Sequence, residues 1–238
     1  MFKYKFISRL ATEKHVFKAV DVRTNEIVVL KMEDTNNEIH LLKNEAQMYV
    51  DLKNVEGVLD MKWYGNYGNY KYIALPFVET CLEDIIHCFS PSVLNTLAND
   101  LISVVHNVHS KYILHRDIKP SNFLISNNGK IFIIDFGFSK KFVDSKGLHI
   151  PEKKTQGLIG TATYASIRTL EDKIEPSRRD DMESLGYIFY EMYVKKKIFD
   201  KKQFLRNETI EDETLLKIQN YLKGCFHLNF FQKPCYEF

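Results

Sequence analysis

Two short polar motifs in the chain contain the residue types that phosphoryl transfer requires. Residues 115–122 read His-Arg-Asp-Ile-Lys-Pro-Ser-Asn, and a second motif, Asp-Phe-Gly, begins at Asp135, thirteen residues after Asn122. Transfer from ATP needs one carboxylate that orients the attacking hydroxyl, and a carboxylate and an amide that hold Mg²⁺ against the phosphates. The motifs therefore predict Asp117 as the catalytic base or orienting residue, and Asn122 and Asp135 as metal ligands.

The sequence between the two motifs predicts that the two metal ligands lie close together. Residues 123–125 and 131–134 are short apolar runs, and the turn sequence Asn-Asn-Gly stands between them. Such a pattern is typical of a β-hairpin, which would bring Asn122 next to Asp135. Taken singly, each residue type has a structural alternative: a core histidine, a turn aspartate or an aspartate at a strand end.

The composition describes a globular protein with a sizeable core. The chain has 238 residues, of which 45% are hydrophobic and 13% aromatic, and this length suffices for one large or two small lobes. A net charge of +2, from 33 basic and 31 acidic residues, argues against direct nucleic-acid or membrane binding. The local basic cluster of Lys195–Lys197 and Lys201–Lys202 is interpreted as a solvated surface, with a phosphate-binding or nuclear-import patch as the alternative.

The cysteines and histidines give no metal-ligand spacing. Four cysteines lie far apart, and the His-x-x-His pair of His106 and His109 has no matching thiol or carboxylate set nearby, so structural histidines are favoured over a zinc site. The N-terminus lacks a signal-peptide pattern, and no apolar run reaches membrane-spanning length. We therefore expect free thiols and an intracellular protein of the nucleus, the cytoplasm or both.

The pattern of the chain changes near Pro76, from short strands to long helices. Before that point, alternating apolar residues predict five strands, and apolar residues three and four apart predict one helix. The predicted strands cover residues 5–10, 16–21, 27–32, 58–64 and 70–75, the helix covers residues 36–52, and a turn falls at residues 65–68.

Helix-start signals mark the second part of the chain. Ser90 followed by Pro91 predicts an N-cap with proline in the first turn, and Ser177 with Asp180 predicts a capping box. The sequence thus predicts an α+β, bilobal fold that forms one domain. It comprises a small β-rich N-lobe with one helix (about residues 1–76), a hinge (about 75–80) and a larger, mostly helical C-lobe (about 79–238).

A nucleotide site is predicted beside the first motif. Residues 28–31 read Val-Val-Leu-Lys, close to the V-A-I-K strand whose lysine binds the α- and β-phosphates, and Glu45 on the next helix is placed to pair with it. A surface strand lysine is the alternative. Adenine is expected against the hinge. The residues predicted to bind the nucleotide are Lys31, Glu45, Leu10, Val16, Leu75, Phe77, Val78 and Leu124.

The glycine-rich loop that normally covers the phosphates is missing. Residues 10–16 read Leu-Ala-Thr-Glu-Lys-His-Val, without the glycines that let backbone amides approach a phosphate closely. Glu13 in this stretch is expected to repel phosphate. We expect weaker ATP binding or slower turnover as the result.

Two longer segments carry a resemblance to a known family. Residues 160–167 read Gly-Thr-Ala-Thr-Tyr-Ala-Ser-Ile and residues 177–187 read Ser-Arg-Arg-Asp-Asp-Met-Glu-Ser-Leu-Gly-Tyr, and both resemble the casein kinase I family of Ser/Thr protein kinases. The resemblance implies a bilobal kinase that uses Mg-ATP and is active without activation-loop phosphorylation. It also implies that Thr161 contacts Asp117 and Lys119, and that Asp181 braces the catalytic loop.

The chain also departs from that family's pattern. Thr163 and Gln156 stand where the family has basic residues that bind a phosphate already present on the substrate. The region after Tyr193 is shortened, up to the C-terminal end. The leading hypothesis is a Ser/Thr protein kinase that is monomeric and modifies protein substrates in an acidic context, with roles in trafficking or DNA repair implied by the resemblance. The alternatives are a nucleotide-binding pseudokinase scaffold and, disfavoured by Lys119, a small-molecule kinase.

Overall fold

A five-stranded antiparallel sheet forms most of the N-lobe. The computed structural model describes residues 2–11 and 15–238, so the prediction for Glu13 lies outside the described residues. The strand order is β1-β2-β3-β5-β4. The strands are β1 (Tyr4–Ala11), β2 (His15–Asp21), β3 (Ile27–Asp34), β4 (Trp63–Tyr67) and β5 (Tyr70–Pro76).

The pairing register decides which residues of the sheet face the predicted nucleotide site. Lys31 on β3 lies opposite Val16 on β2 and Ile73 on β5, and directly paired residues project from the same face of a sheet. The opposite face carries a separate apolar cluster that includes Leu30 and Tyr72. The sheet therefore points Lys31 toward the second lobe and away from its own outer cluster.

The single N-lobe helix, α1 (Leu41–Asp51), is shorter than the predicted segment 36–52. The side chain of Glu33 accepts hydrogen bonds from the backbone amides of Leu41 and Leu42, at 2.8 and 3.0 Å. This carboxylate satisfies first-turn donors that the helix itself leaves unpaired, so the helix begins at Leu41. Ile39, which lies in the predicted segment but before the helix begins, is exposed.

The predicted strand at residues 58–64 is wrong in its position. Val58 forms only an isolated parallel bridge with Ile133 in the C-lobe, and the strand begins at Trp63. Gly57 has a φ of +83°, a left-handed conformation that reverses the chain before Val58. The turn expected at residues 65–68 is displaced as well, since β4 continues through Tyr67 before it meets β5.

The C-lobe is built mainly from helices. They are α2 (Leu82–Ile85), α3 (Leu94–Ser110), α4 (Arg178–Val194), α5 (Lys201–Arg206) and α6 (Glu213–His227). Its short strands are β6 (Thr80–Cys81), β7 (Ile113–Leu114), β8 (Phe123–Ile125), β9 (Ile131–Ile133) and β10 (Lys140–Lys141). Strands β8 and β9 form the predicted hairpin, and Gly129 in its turn has a φ of +79°.

The two predicted helix starts have different outcomes. Ser177 and Asp180 form the predicted capping box at the start of α4. Ser90 makes no capping hydrogen bond, because its hydroxyl pairs with that of Ser92 at 2.6 Å. Pro91 instead begins a short 3₁₀ turn, and α3 follows from Leu94.

Helix α4 lies at the centre of the C-lobe and packs against α3 and α6. A surface helix buries one stripe, whereas α4 also buries polar residues, among them Asp180, Asp181 and Glu183. Asp180 accepts a hydrogen bond from the hydroxyl of Ser166 and Glu183 accepts one from the amide of Ile167, and Asp181 binds the loop described below. The structure thus has the predicted α+β bilobal fold. Within residues 2–11 and 15–238, no helix is both long and apolar enough to cross a membrane.

Candidate active site

The loop that follows β7 is held from below by helix α4. Asp181 accepts hydrogen bonds from the backbone amides of His115 and Arg116, each at 2.8 Å, and from Nε2 of His109 at 2.9 Å. Burial alone would raise the pKa of Asp181, but the hydrogen bonds from His109 and the backbone lower it below its usual value. A buried carboxylate therefore fixes a loop in which Arg116 has a left-handed φ of +67°.

Three predicted catalytic side chains meet above this loop. The hydroxyl of Thr161 donates to Oδ1 of Asp117 at 2.7 Å and accepts from Nζ of Lys119 at 2.9 Å. Nζ of Lys119 also lies 2.7 Å from Oδ2 of Asp117. The amide nitrogen of Asn122 donates to the backbone carbonyl of Asp117 at 2.7 Å. The structure thus brings together four of the side chains predicted for the site.

Gly160 is the residue that allows Thr161 to come so close. Its φ is +85°, and a Cβ at this position would lie 2.4 Å from the carbonyl oxygen of Arg116. Neither the conformation nor the space admits another residue without displacing the backbone. The glycine therefore brings the backbone before Thr161 against the catalytic loop.

A second cluster joins the two lobes. Nζ of Lys31 lies 2.6 Å from Oε2 of Glu45 on α1 and 2.6 Å from Oδ1 of Asp135 in the C-lobe. Burial alone would lower the pKa of Lys31, but the two carboxylates outweigh it and raise the pKa above its ordinary value. The lysine is therefore a fixed positive charge between the predicted metal ligand and the N-lobe helix.

Comparison of the sequence with known protein families agrees with this geometry. A family model described as the protein kinase domain matches residues 12–234, which is nearly all of the sequence. The chain belongs to the protein kinase family. This membership supports a phosphotransferase that acts on protein substrates, and the kinase domain generally uses ATP and Mg²⁺.

The predicted metal ligands of this kinase offer the oxygen donors that Mg²⁺ prefers. Because its nitrogen is bound to the carbonyl of Asp117, the amide of Asn122 has its oxygen available as a ligand. The hairpin places Asn122 beside the second motif, since the backbone carbonyl of Asn122 accepts a hydrogen bond from the backbone amide of Ile134 at 2.9 Å. Among the described residues no cluster of three or more His, Cys, Asp or Glu side chains could hold a metal alone. One carboxylate and one amide fit Mg²⁺, which is commonly completed by phosphates and water.

The apolar residues predicted for the kinase's nucleotide site fall into two groups. Val16 and Leu75 belong to the sheet face that carries Lys31, the first opposite Lys31 and the second opposite Val29. Val29 lies on the same face, opposite Leu75, and was not predicted as a nucleotide-site residue. Its position two residues before Lys31 on the same strand could have indicated it, because such residues share a face of a sheet. Leu75 itself is buried in a core cluster that includes residues of both lobes.

The remaining predicted residues lie around the lobe junction. Phe77 and Val78 are half-buried in the segment between β5 and β6, and Leu124 lies on β8, opposite Cys81 of β6. Leu10, near the end of β1, is exposed. Lys18 places its ammonium 4.0 Å from the ring centroid of Phe77, so β2 contacts the hinge directly.

Sequence reasoning missed a residue that ties the second motif of the kinase to α1. The side-chain amide of Asn44 donates to the backbone carbonyls of Gly137 and Ser139, at 2.9 and 3.0 Å. One turn further along α1, Tyr49 meets the ring of Phe136 edge to face, with centroids 5.1 Å apart. The only signal in the sequence was that Asn44 precedes Glu45.

Sequence reasoning also missed a buried carboxylate, which forms an ion pair with the arginine of the first motif. Oε1 of Glu175 lies 3.1 Å from Nη1 of Arg116 and 2.5 Å from Nζ of Lys140. Burial lowers the pKa of Arg116 somewhat below its usual value. Glu175 thus links the catalytic loop, β10 and the segment before α4 through one side chain.

Proposed function

We propose that the chain is an active Ser/Thr protein kinase of casein kinase I type, which transfers the γ-phosphate of ATP to hydroxyl groups of proteins. The observation that carries the proposal is the contact set around Asp117. Its carboxylate is held by Thr161 and Lys119, so one oxygen-rich group is fixed in position with a positive charge beside it. Membership of the protein kinase family and the preserved Lys31–Glu45 pair support the same reaction.

The residues take distinct roles in this reaction. Asp117 orients the substrate hydroxyl and takes up its proton as the oxygen bonds to the γ-phosphorus, while the bond from that phosphorus to the leaving ADP oxygen breaks. Lys119 places a positive charge where the transferred group gains charge. Lys31 binds phosphate oxygens, and Asn122 and Asp135 hold the metal. Mg-ATP, when bound, supplies the phosphoryl group and a divalent charge against its oxygens.

Specificity for serine and threonine is supported by Lys119 and by the resemblance of residues 160–167 and 177–187 to casein kinase I. We further propose a preference for acidic protein substrates and a monomeric, intracellular enzyme. Because Thr163 and Gln156 are uncharged, the kinase is not expected to require a phosphate already present on its substrate.

The proposal is tested by incubating the purified chain with Mg²⁺, radiolabelled ATP and casein. We expect phosphoserine and phosphothreonine in the product, and we expect Asp135→Asn to abolish incorporation because it removes the charge of a metal ligand. Equal incorporation by wild type and Asp135→Asn would show that a contaminant is responsible. Phosphotyrosine as the main product would overturn the Ser/Thr assignment.

A nucleotide-binding pseudokinase is the second candidate, favoured by one observation. Residues 10–16 contain no glycine, the residue type that lets backbone amides approach a phosphate closely. Thermal unfolding with and without Mg-ATP separates the cases. A ligand at a hundred times its Kd adds about 2.7 kcal/mol to the free energy of unfolding. A clear shift in melting temperature without phosphotransfer would favour the scaffold.

A further inference from the structure

A fully exposed phenylalanine stands between two grooves in the C-lobe. Phe199, in the segment between α4 and α5, has no part of its side chain buried. A groove of about 500 Å³ lies on one side and is lined by Ala162, Thr163, Leu170 and Lys202, among others. A second groove of about 540 Å³ lies on the other side, against Phe204 and Arg206. We call this surface, with both grooves, the Phe199 ridge.

The first groove begins at the residues that follow Thr161 of the candidate active site. Ala162 and Thr163 directly follow Thr161, whose hydroxyl contacts Asp117 at 2.7 Å. Consecutive Cα atoms are about 3.8 Å apart, so the groove begins within roughly 8 Å of the Thr161 Cα. A polypeptide that presents a hydroxyl to Asp117 can therefore reach the ridge with only a few further residues.

The walls of this groove are tied to each other by charged side chains. Nζ of Lys201 donates to the carbonyl of Ala165 at 2.5 Å and lies 4.2 Å from the ring centroid of Tyr187. Lys202 pairs with Glu171 across the groove. The predicted solvated basic cluster is therefore partly structural. A groove whose walls are linked in this way is preformed, which reduces the entropic cost of binding.

The rim of the ridge, which we define as Lys196 and Lys197 just before Phe199 in the chain and Arg206 in the second groove, is positively charged. Lys196, Lys197 and Arg206 are exposed, and within the described part of the chain no carboxylate forms a salt bridge with any of them. The first groove itself is lined by two acidic residues, Glu171 and Asp200, and two basic residues, Lys201 and Lys202, so the three exposed cations remain in excess. The surplus charge is complementary to an acidic segment.

We propose that the Phe199 ridge is a docking surface for the protein substrate, and that it binds an acidic stretch carrying one large apolar side chain near the acceptor hydroxyl. This rests on the proposed kinase function and adds a substrate class to it. An exposed aromatic side chain beside a groove is the type of residue that contributes most to binding when a partner covers it. The apolar side chain packs against Phe199, and the acidic residues face the lysines of the rim.

The test uses matched acidic peptides with one serine acceptor. In one set, each peptide carries a single phenylalanine, placed at successive positions on either side of the serine. The control peptide has the same acidic residues and serine, with alanine at every position where the set has phenylalanine. We expect a peptide with well-placed phenylalanine to have a KM about tenfold below that of the control, and Phe199→Ala to abolish this difference while leaving the control peptide unchanged. Phe231→Ala, which removes another exposed phenyl group, is the matched control variant.

A binding measurement separates this proposal from the kinase function itself. Fluorescence anisotropy is measured with labelled peptides in which alanine replaces the acceptor serine, so no phosphotransfer is needed. Tenfold weaker binding to Phe199→Ala, with Phe231→Ala like wild type, supports the docking surface even if catalysis fails. Equal affinity of all three proteins for every peptide would overturn it. A dimer in sedimentation that Phe199→Asp disperses would assign the ridge to self-association instead, which also overturns it.

Discussion

Thr161 is a residue whose single hydroxyl contacts two predicted catalytic side chains at once. It donates to Asp117 and accepts from Lys119, so it fixes the carboxylate and the ammonium relative to each other. A carboxylate that rotates freely would spend less time in the orientation that receives the substrate proton. At the scale of the residue, the candidate site therefore depends on one short side chain that Gly160 allows into contact.

This arrangement predicts different results for two substitutions of Thr161. Thr161→Val keeps the shape but removes the hydroxyl, and we expect kcat to fall by about 10- to 100-fold, a part of what general base catalysis supplies. Thr161→Ser keeps the hydroxyl and should remain within a few-fold of wild type. Steady-state kinetics with casein at saturating Mg-ATP measures both. Equal kcat values for the two variants would contradict the role of the hydroxyl.

Residues of the two motifs were predictable because the chemistry requires them at a characteristic spacing. Glu175 and Asn44 were not, since each acts on backbone or side chains distant in sequence: Glu175 on Arg116, and Asn44 on the carbonyls after Asp135. An alternation of apolar residues carries no information about such polar contacts. The site could be located from the sequence, but its supporting contacts required the fold.

At the scale of the element, helix α1 is positioned by polar contacts in its N-terminal half. Glu33 caps its first turn, and Asn44 binds the carbonyls of Gly137 and Ser139. The sequence predicted the helix from its apolar spacing but began it five residues early, because a capping carboxylate on a preceding strand has no local signature. The placement of Glu45 beside Lys31 follows from these contacts.

Removing the contact between α1 and the second motif should lower both stability and activity. Asn44→Ala leaves carbonyls of Gly137 and Ser139 without their donor, so we expect a loss of about 1–2 kcal/mol in unfolding free energy and about a tenfold loss in kcat/KM for ATP. Gln47→Ala, which breaks only the exposed bond to Asp51, is the matched control. Urea titration and kinetics are the measurements. If Asn44→Ala behaves like Gln47→Ala, the amide does not position the motif.

At the scale of the whole molecule, the C-terminal segment reaches the catalytic loop through two buried side chains. The hydroxyl of Tyr236 lies 2.9 Å from Nδ1 of His109, whose Nε2 lies 2.9 Å from Asp181. The pKa of Asp181 is lowered, so it is a carboxylate that accepts a hydrogen bond from Nε2 of His109. The interpretation of His109 as a structural histidine agrees with these contacts.

Tyr236→Phe tests whether this chain of contacts supports catalysis. The variant keeps the ring that stacks on His106, with centroids 4.1 Å apart, and removes only the hydroxyl. We expect about 1–2 kcal/mol less stability, because the buried imidazole of His109 loses a hydrogen-bond partner, and a several-fold lower kcat, because His109 then orients Asp181 less firmly. Tyr193→Phe removes a comparable hydroxyl bond, from Tyr193 to Asp212 at 2.6 Å, on the exposed surface. Its stability should change by less than about 0.5 kcal/mol and its kcat should not change. A kcat of Tyr236→Phe equal to that of Tyr193→Phe would show that the C-terminal segment supports the fold alone, since the loop beneath Asp117 would then keep its geometry without the tyrosine.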